Sequence, residues 1–261
     1  MAPRDSRVRD DPERESRVTA NDRSDEVWVV IPTLNEVATL PGVIAAVRPY
    51  CSRVLIVDGG STDGTLECAR ALGVQVEALN ARGKGRAIRR ALQLVVAPVT
   101  VLIDADGSHD PRDIPALVTP VLHDRADMVV GCRWTGGSDE LHGDMNKWLR
   151  RTGSRLLTGL VNLRFGGHLT DIQNGFRALK TEVGHDIGLD EDGFTIEQEM
   201  VMKFLAGRFR VMNVPAHEYA RQAGEAKLQL NRVWFEFGIV VLRHLFGLAR
   251  PRIRRTTTRR Q

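Results

Sequence analysis

Two carboxylates set two apart, Asp104 and Asp106, stand where an apolar run meets a glycine-containing turn, in V-T-V-L-I-D-A-D-G-S-H-D-P (99–111). Val99, Val101, Leu102 and Ile103 read as a buried strand. In an extended segment, side chains two apart project to one side, so both carboxylates are expected to face one point. Hard oxygen ligands beyond the carboxyl end of a strand suit Mg2+ or Mn2+, shared with phosphate oxygens. A polar turn without a ligand has the same composition, because Asp and Gly are common turn residues. Two further strand ends bear on the choice. Asn35 and Glu36 follow the apolar run 27–31, and Asp58 follows the run 54–57. In open parallel sheets that edge is where ligands bind.

The elements that must position these residues follow from hydrophobic periodicity. The spacing predicts strands over 27–31 (ended by Pro32), 54–57, 74–78 and 99–103. Helical segments are predicted over 39–47, 65–72 (stopped by Gly73) and 86–96. Strand, helix and strand at this spacing make βαβ units, hence an α/β fold with a mainly parallel sheet and helices on both faces. No G-x-G-x-x-G follows the first strand and no G-x-x-x-x-G-K-[ST] occurs, so neither a Rossmann dinucleotide site nor a P-loop is supported.

The chain has 261 residues, 42% hydrophobic and 27% charged, with a net charge of +4. That suits one large domain with short appendages. Residues 1–26 mix Arg with Asp and Glu, hold few large apolar residues, and are expected to be disordered. They lack the apolar core of a signal peptide. The domain is expected over 27–230. Cys51, Cys68 and Cys132 are far apart and odd in number, which fits free thiols in a reducing cytosol. Residues 231–249 are long enough to suggest a membrane span, but Glu236, Arg243 and His244 interrupt them. At 100° per residue Arg232, Glu236, Arg243 and Arg250 share a narrow stripe, the pattern of an interfacial membrane helix. A helix packed on the core or on a second subunit fits the same pattern. The tail 250–261 is basic and suits an anionic membrane surface. No interleaved aromatic platform accompanies it, so nucleic acid is not the expected partner.

The blocks P-T-L-N-E (32–36), V-D-G-G-S-T-D-G-T (57–65), G-K-G-R-A (83–87) and D-A-D-G-S-H-D-P (104–111) resemble the inverting GT-A-fold glycosyltransferases. Downstream, G-C-R-W (131–134), D-I-Q-N-G-F-R-A (171–178), G-F-T-I-E-Q-E (193–199) and Arg221 with G-E-A-K-L (224–228) resemble the dolichol-phosphate mannosyltransferase branch. The resemblance spans residues 27–228 and implies transfer of a hexose from a nucleotide sugar to a polyprenyl phosphate. It implies a divalent metal on Asp104 and Asp106, and a peripheral position on the cytoplasmic face of the membrane. A soluble hydroxyl acceptor and a non-catalytic nucleotide-sugar-binding protein are the other readings.

By that resemblance Pro32, Asn35, Glu36 and Asp58 hold the nucleoside, and Lys84 with nearby Arg82 approaches the diphosphate. The alternatives are helix capping for Asn35 and Glu36, and a solvated helix start for Lys84. Arg133, Arg150, Arg151, Arg221 and Lys227 are the expected acceptor-phosphate clamp, because guanidinium groups bind phosphate bidentately. The expected catalytic set is Asp106, Asp171, Arg133 and Arg221. Asp171 or Glu197 is the first base to test for a hydroxyl acceptor; either also fits a buried partner of a nearby arginine. His109 fits a metal ligand or a hydrogen-bonded turn residue. Ser108 stands where relatives place Gln, a better ligand. Leu34 and Gly59 depart from the common Tyr and Asp and leave the base open between guanine and uracil. Gln173, Asn174 and Ala226 also depart, and leave the acceptor open.

Overall fold

The computed structural model describes residues 24–139, 145–221 and 230–246. Seven strands form one sheet: β1 (Val27–Thr33), β2 (Arg53–Asp58), β3 (Gln75–Ala78), β4 (Val99–Leu102), β5 (Met128–Cys132), β6 (Arg177–Lys180) and β7 (Val211–Pro215). Their order is β3-β2-β1-β4-β6-β5-β7. All pairings are parallel except those of β6, which runs antiparallel to both β4 and β5. The helices are α1 (Leu40–Val47), α2 (Thr65–Ala71), α3 (Lys84–Leu94), α4 (Ile114–Leu122), α5 (Arg133–Gly136), α6 (Met145–Phe165), α7 (Thr181–Asp186), α8 (Ile196–Ala206) and α9 (Leu230–Leu245).

Strands β1, β2, β4 and β5 are rich in β-branched residues and buried on both faces, as a sheet covered on each side requires. Alternate residues feed two cores. Val30, Leu55, Leu102 and Val130 pack with Ile88, Leu92, Met200 and Val240 on one side. Val29, Ile31, Ile56 and Val101 pack with Leu40, Ile44, Leu117 and Val121 on the other. The expected βαβ architecture is therefore present. The order turns about β1 and β4, because the chain adds β2 and β3 on one side of β1 and then β4 on the other. This switch point opens a crevice at the carboxyl edge.

Three local expectations are corrected. Pro32 does not end β1 but lies inside it, paired in register with Val57. Val30 accepts the last bond from the β4 side, given by the Ile103 N–H at 3.2 Å. Pro32, two residues on, faces that same side, where the β4 ladder has already ended. Its missing N–H leaves nothing unpaired. Asp104 and Asp106 do not lie in an extended segment either: Ala105 and Asp106 form a turn, and Gly107 follows at φ 73°. The third correction concerns the tail 1–26, whose last residues Ser24–Glu26 form a 3-10 turn. Residues 1–23 lie outside the described residues. The three cysteines are free thiols.

The segment expected at 231–249 forms α9, which packs against α8 and α6. Val240, Val241 and His244 are buried on that side, while Arg243, Leu242 (49% exposed) and Phe246 (75% exposed) face outward. Burial lowers the His244 pKa from its ordinary value. Among the described residues no helix is long and apolar enough to cross a membrane. Residues 247–261, including the basic tail, lie outside the described set.

Candidate active site

A cavity of about 530 Å3 opens at the crevice between β1 and β4, lined by residues from six segments of the chain. Pro32, Thr33, Leu34 and Glu36 come from the end of β1, and Gly59 from the end of β2. Arg82 to Lys84 come from the start of α3, Asp104 to Asp106 from the end of β4, and Phe194 and Arg221 from downstream loops.

Asp58 and Asn35 organise the loops behind this wall. Asp58 is fully buried and accepts from Thr33 Oγ1 at 3.0 Å, from the Gly60 and Ser61 amides at 2.9 and 2.8 Å, and from Ser61 Oγ. Asn35 adopts φ 54°, receives the Thr62 amide on its Oδ1 at 2.8 Å and donates its own amide to Ser61 Oγ at 2.8 Å. Asn is among the residues that tolerate this left-handed region, because its side chain bonds locally to the backbone. Pro32 and Glu36 reach the cavity itself; Asp58 and Asn35 shape it.

Lys84 is the first residue of α3, where the helix dipole disfavours a cation. Two carboxylates compensate: Asp104 Oδ1 and Glu197 Oε1 each lie 2.5 Å from the ammonium. Burial opposes the Lys84 charge, yet these carboxylates win and raise its pKa above the ordinary value. Burial likewise opposes ionisation of Asp104, but Lys84, with help from His109 and Arg221, lowers its pKa to about 2. The glycines flanking Lys84 serve packing against the chain. The Asp192 carbonyl accepts the Gly85 amide at 2.9 Å, and a Cβ at Gly85 would overlap the Glu191 carbonyl. Asp192 also pairs with Arg86 and Arg89.

Asp106 is almost fully buried. Its Oδ1 accepts the Ser108 amide at 3.1 Å and Ser108 Oγ at 2.6 Å, and Arg221 Nε lies 3.4 Å from Oδ2. Ser108 thus orients Asp106. His109 is a buried turn residue: Nε2 bonds Asn174 Oδ1 at 3.0 Å and the ring stacks on Phe176. Two carboxylates facing one cavity fit Mg2+ or Mn2+ that takes its remaining ligands from a diphosphate and water. No group of three His, Cys, Asp or Glu side chains suited to a metal occurs among the described residues.

Because β6 is antiparallel, its start lies at the carboxyl ends of β4 and β5, which brings residues 171–176 onto the site. Gly175 closes over the Lys84 trio. A Cβ there would come within 2.7 Å of Asp104 Oδ2 and 2.9 Å of both Glu197 Oε1 and Lys84 Nζ. Gly175→Ala is therefore expected to destabilise the protein by about 1–3 kcal/mol, the range of core overpacking. Chemical denaturation measures this; an unchanged midpoint would show that the trio yields freely.

Arg133 and Asp171 meet each other. Arg133 Nε and Nη2 bind Asp171 Oδ2 and Oδ1 at 2.7 and 3.1 Å, and Nη1 lies 3.5 Å from Glu218. Burial raises the Asp171 pKa, but Arg133 outweighs it and brings the carboxyl below its ordinary value. Asp171 accepts a further bond from the Gln173 amide at 3.0 Å. Of the two alternatives for Asp171, partner of an arginine is the one the structure shows. Arg150 and Arg151 lie in α6, but their side chains are outside the described set, as is Lys227.

Three participants escaped the sequence reading. Glu218 joins Arg133 and accepts Ser138 Oγ at 2.6 Å. Gly175 had a signal, a glycine inside a resembling block. Arg177 lies in the same block, but nothing local marks it as buried: it is fully buried and donates to the backbone carbonyls of Glu197 (2.8 Å) and Asn174. Burial lowers its pKa, opposed by Glu197, Asp171 and Asp104.

Residues 28–188 match the sequence model of glycosyl transferase family 2. The chain belongs to this family. Glycosyltransferase AglJ of Haloferax volcanii is 35% identical over 202 residues, 77% of this chain and 65% of AglJ, so the match spans just under two thirds of that relative. Two polyprenyl-phosphate enzymes are also similar. The dolichol-phosphate mannosyltransferase of Pyrococcus furiosus is 28% identical over 85% of this chain and 63% of its own. The undecaprenyl-phosphate mannosyltransferase of Micrococcus luteus is 29% identical over 77% and 87%. The GT-A fold is shared with glucosyl-3-phosphoglycerate synthase from Mycobacterium tuberculosis, solved with Mn2+, UDP and glucosyl-3-phosphoglycerate. That structure gives a TM-score of 0.67 at 22% identity, covering 88% of this chain and 84% of the other. This likeness speaks for the fold alone.

Proposed function

We propose that this family 2 glycosyltransferase moves a hexose from a nucleoside diphosphate sugar to a polyprenyl phosphate. The observation that carries the reading is the crevice in which Asp104, Asp106, Lys84 and Arg221 face one cavity at the switch point of the sheet. The similarity to the two polyprenyl-phosphate mannosyltransferases supports the acceptor class. Pro32 and Glu36 are the wall for the nucleoside, with Asn35 and Asp58 holding the loops. Asp104 and Asp106 are the proposed seat of a divalent metal, which when bound would neutralise the leaving diphosphate. Lys84 adds a positive charge at the same place.

Arg221 is the proposed contact to the acceptor phosphate, with Arg150, Arg151 and Lys227 as further members of the clamp. Arg133 contributes differently, since Asp171 and Glu218 already compensate its charge. It braces the acceptor side and orients Asp171 away from a base role. A phosphate monoester is largely dianionic near neutral pH, its second pKa being about 6. It attacks the anomeric carbon without a strong base, so positioning and electrostatics supply the catalysis. The outward face of α9 with Leu242 and Phe246, followed by the basic tail, is the proposed contact to an anionic membrane surface.

The test is nucleoside diphosphate release from GDP-mannose, UDP-glucose and UDP-GlcNAc with Mn2+ or Mg2+, with and without a short polyprenyl phosphate. Release that depends on the lipid phosphate, with sugar recovered on the lipid, is the expected result. Transfer to a soluble alcohol would move the acceptor to the hydroxyl class, and no release with any donor would overturn the enzymatic reading.

A further inference from the structure

Lys84 lines the cavity, but its ammonium is held between two carboxylates. Its side chain is 11% exposed and Glu197 is 10% exposed, whereas Asp104, at 28%, opens outward. Phe194 covers the ammonium, its ring centre 5.8 Å away, and Gly175 closes the other side. One ammonium shared between two carboxylates leaves Asp104, the outward one, only partly compensated by it. A second cation is electrostatically welcome there. Yet a cation placed on Asp104 would also repel an ammonium 2.5 Å from Oδ1. The cation at a helix N-terminus is disfavoured by the dipole and stays only while anions hold it. Glu197, second residue of α8, is the anion fixed in place, because Arg177 Nη1 grips its backbone carbonyl at 2.8 Å.

We propose that Lys84 is the resident counter-cation of Asp104, displaced from it when a divalent metal binds, and that Glu197 is the positioning residue that retains Lys84 during this exchange. The proposal rests on the reading of Asp104 and Asp106 as metal ligands. It gives Glu197 a role as anchor for Lys84 and not as a base. The exchange also ties metal binding to donor binding, since a released ammonium can turn to the diphosphate that arrives with the metal.

The discriminating measurement is Mn2+ affinity of the full chain without nucleotide, followed by electron paramagnetic resonance, with thermal melting to show each variant folded. In Lys84→Met combined with Glu197→Gln, the competitor is gone and no extra carboxylate is left unpaired. Mn2+ is expected to bind about tenfold more tightly than in wild type, within the usual range of coupling between sites. In Glu197→Gln alone, Lys84 keeps only Asp104, and Mn2+ is expected to bind several-fold more weakly. Opposite signs set exchange apart from a structural role, which would weaken binding in both. Affinity equal to or weaker than wild type in the double variant overturns the inference. So does unchanged or tighter binding in Glu197→Gln, which carries the test alone if the double variant does not melt cooperatively. UDP and GDP separate the two levels. Wild type that takes up no Mn2+ even with either nucleotide overturns the metal reading and the inference together. Uptake that Asp106→Asn abolishes, with no change in the double variant, overturns the inference alone.

Discussion

Asp106→Asn is expected to lower turnover by about a hundred- to a thousandfold, the loss seen when one preorganised electrostatic group is removed from a reacting centre. The substitution is nearly isosteric. The amide oxygen can still accept the Ser108 amide and hydroxyl, so the turn after β4 survives. What disappears is the negative charge, and with it half of the paired carboxylates that face the cavity. The amide nitrogen would then meet Arg221 Nε, now 3.4 Å from Oδ2, as donor against donor. Arg221 should therefore turn away, which adds to the loss on the acceptor side. The melting temperature should move by only a few degrees. Nucleoside diphosphate release at saturating donor checks the first part and a melting curve the second. Turnover near that of wild type would remove Asp106 from the site.

The largest effect on stability belongs to the Arg133–Asp171 pair. Asp171 is fully buried and Arg133 nearly so. Asp171→Ala leaves a buried guanidinium with Glu218 as its remaining acidic neighbour, and breaking such a pair costs about 3–5 kcal/mol. For a chain of this size that is a fall in melting temperature of roughly 10 °C. A surface arginine pair would contribute less than about 1 kcal/mol, so the measurement separates the two cases. The pH dependence carries a sign. The folded pKa of Asp171 lies below its ordinary value. Its contribution is therefore complete above the ordinary carboxylate range and is lost as pH falls through the folded value. The stability gap between wild type and Asp171→Asn should be widest near neutral pH and narrow below about pH 4. A gap that widens towards acid would show that Asp171 is not held as the charged partner of Arg133. A variant that loses turnover with unchanged stability would return Asp171 to the role of base.

These two residues illustrate what a linear reading captures. Asp106 was legible because its signal is local: a β-branched run, two carboxylates and a glycine, all within a few positions. The reason for their shared direction was not. Side-chain alternation in a strand predicts it, but a turn at Ala105 and Asp106 produces it. Arg133 and Asp171 were both legible as members of resembling blocks, and their pairing was present only as one of two alternatives. The contact spans 38 positions of sequence, and no local periodicity encodes it. Lys84 and Glu197 are 113 apart, and their meeting depends on α3 and α8 both beginning at the carboxyl edge of the sheet.

The sequence by itself determined the parallel βαβ half, its cores and the edge on which polar residues collect. Each follows from patterns repeating every two or every three to four residues, which act over a few ångströms. It also carried the family resemblance, through ordered blocks. Tertiary structure alone decided which charges compensate which. The antiparallel β6 folds residues 171–176 over Asp104, making Gly175 the lid of the Lys84 trio and Arg177 a buried anchor beneath Glu197. It also decided that α9 lays Val240 and Val241 on the core and turns Phe246 outward. Side-chain composition specifies that a helix has two faces; only packing against α6 and α8 selects which one is buried.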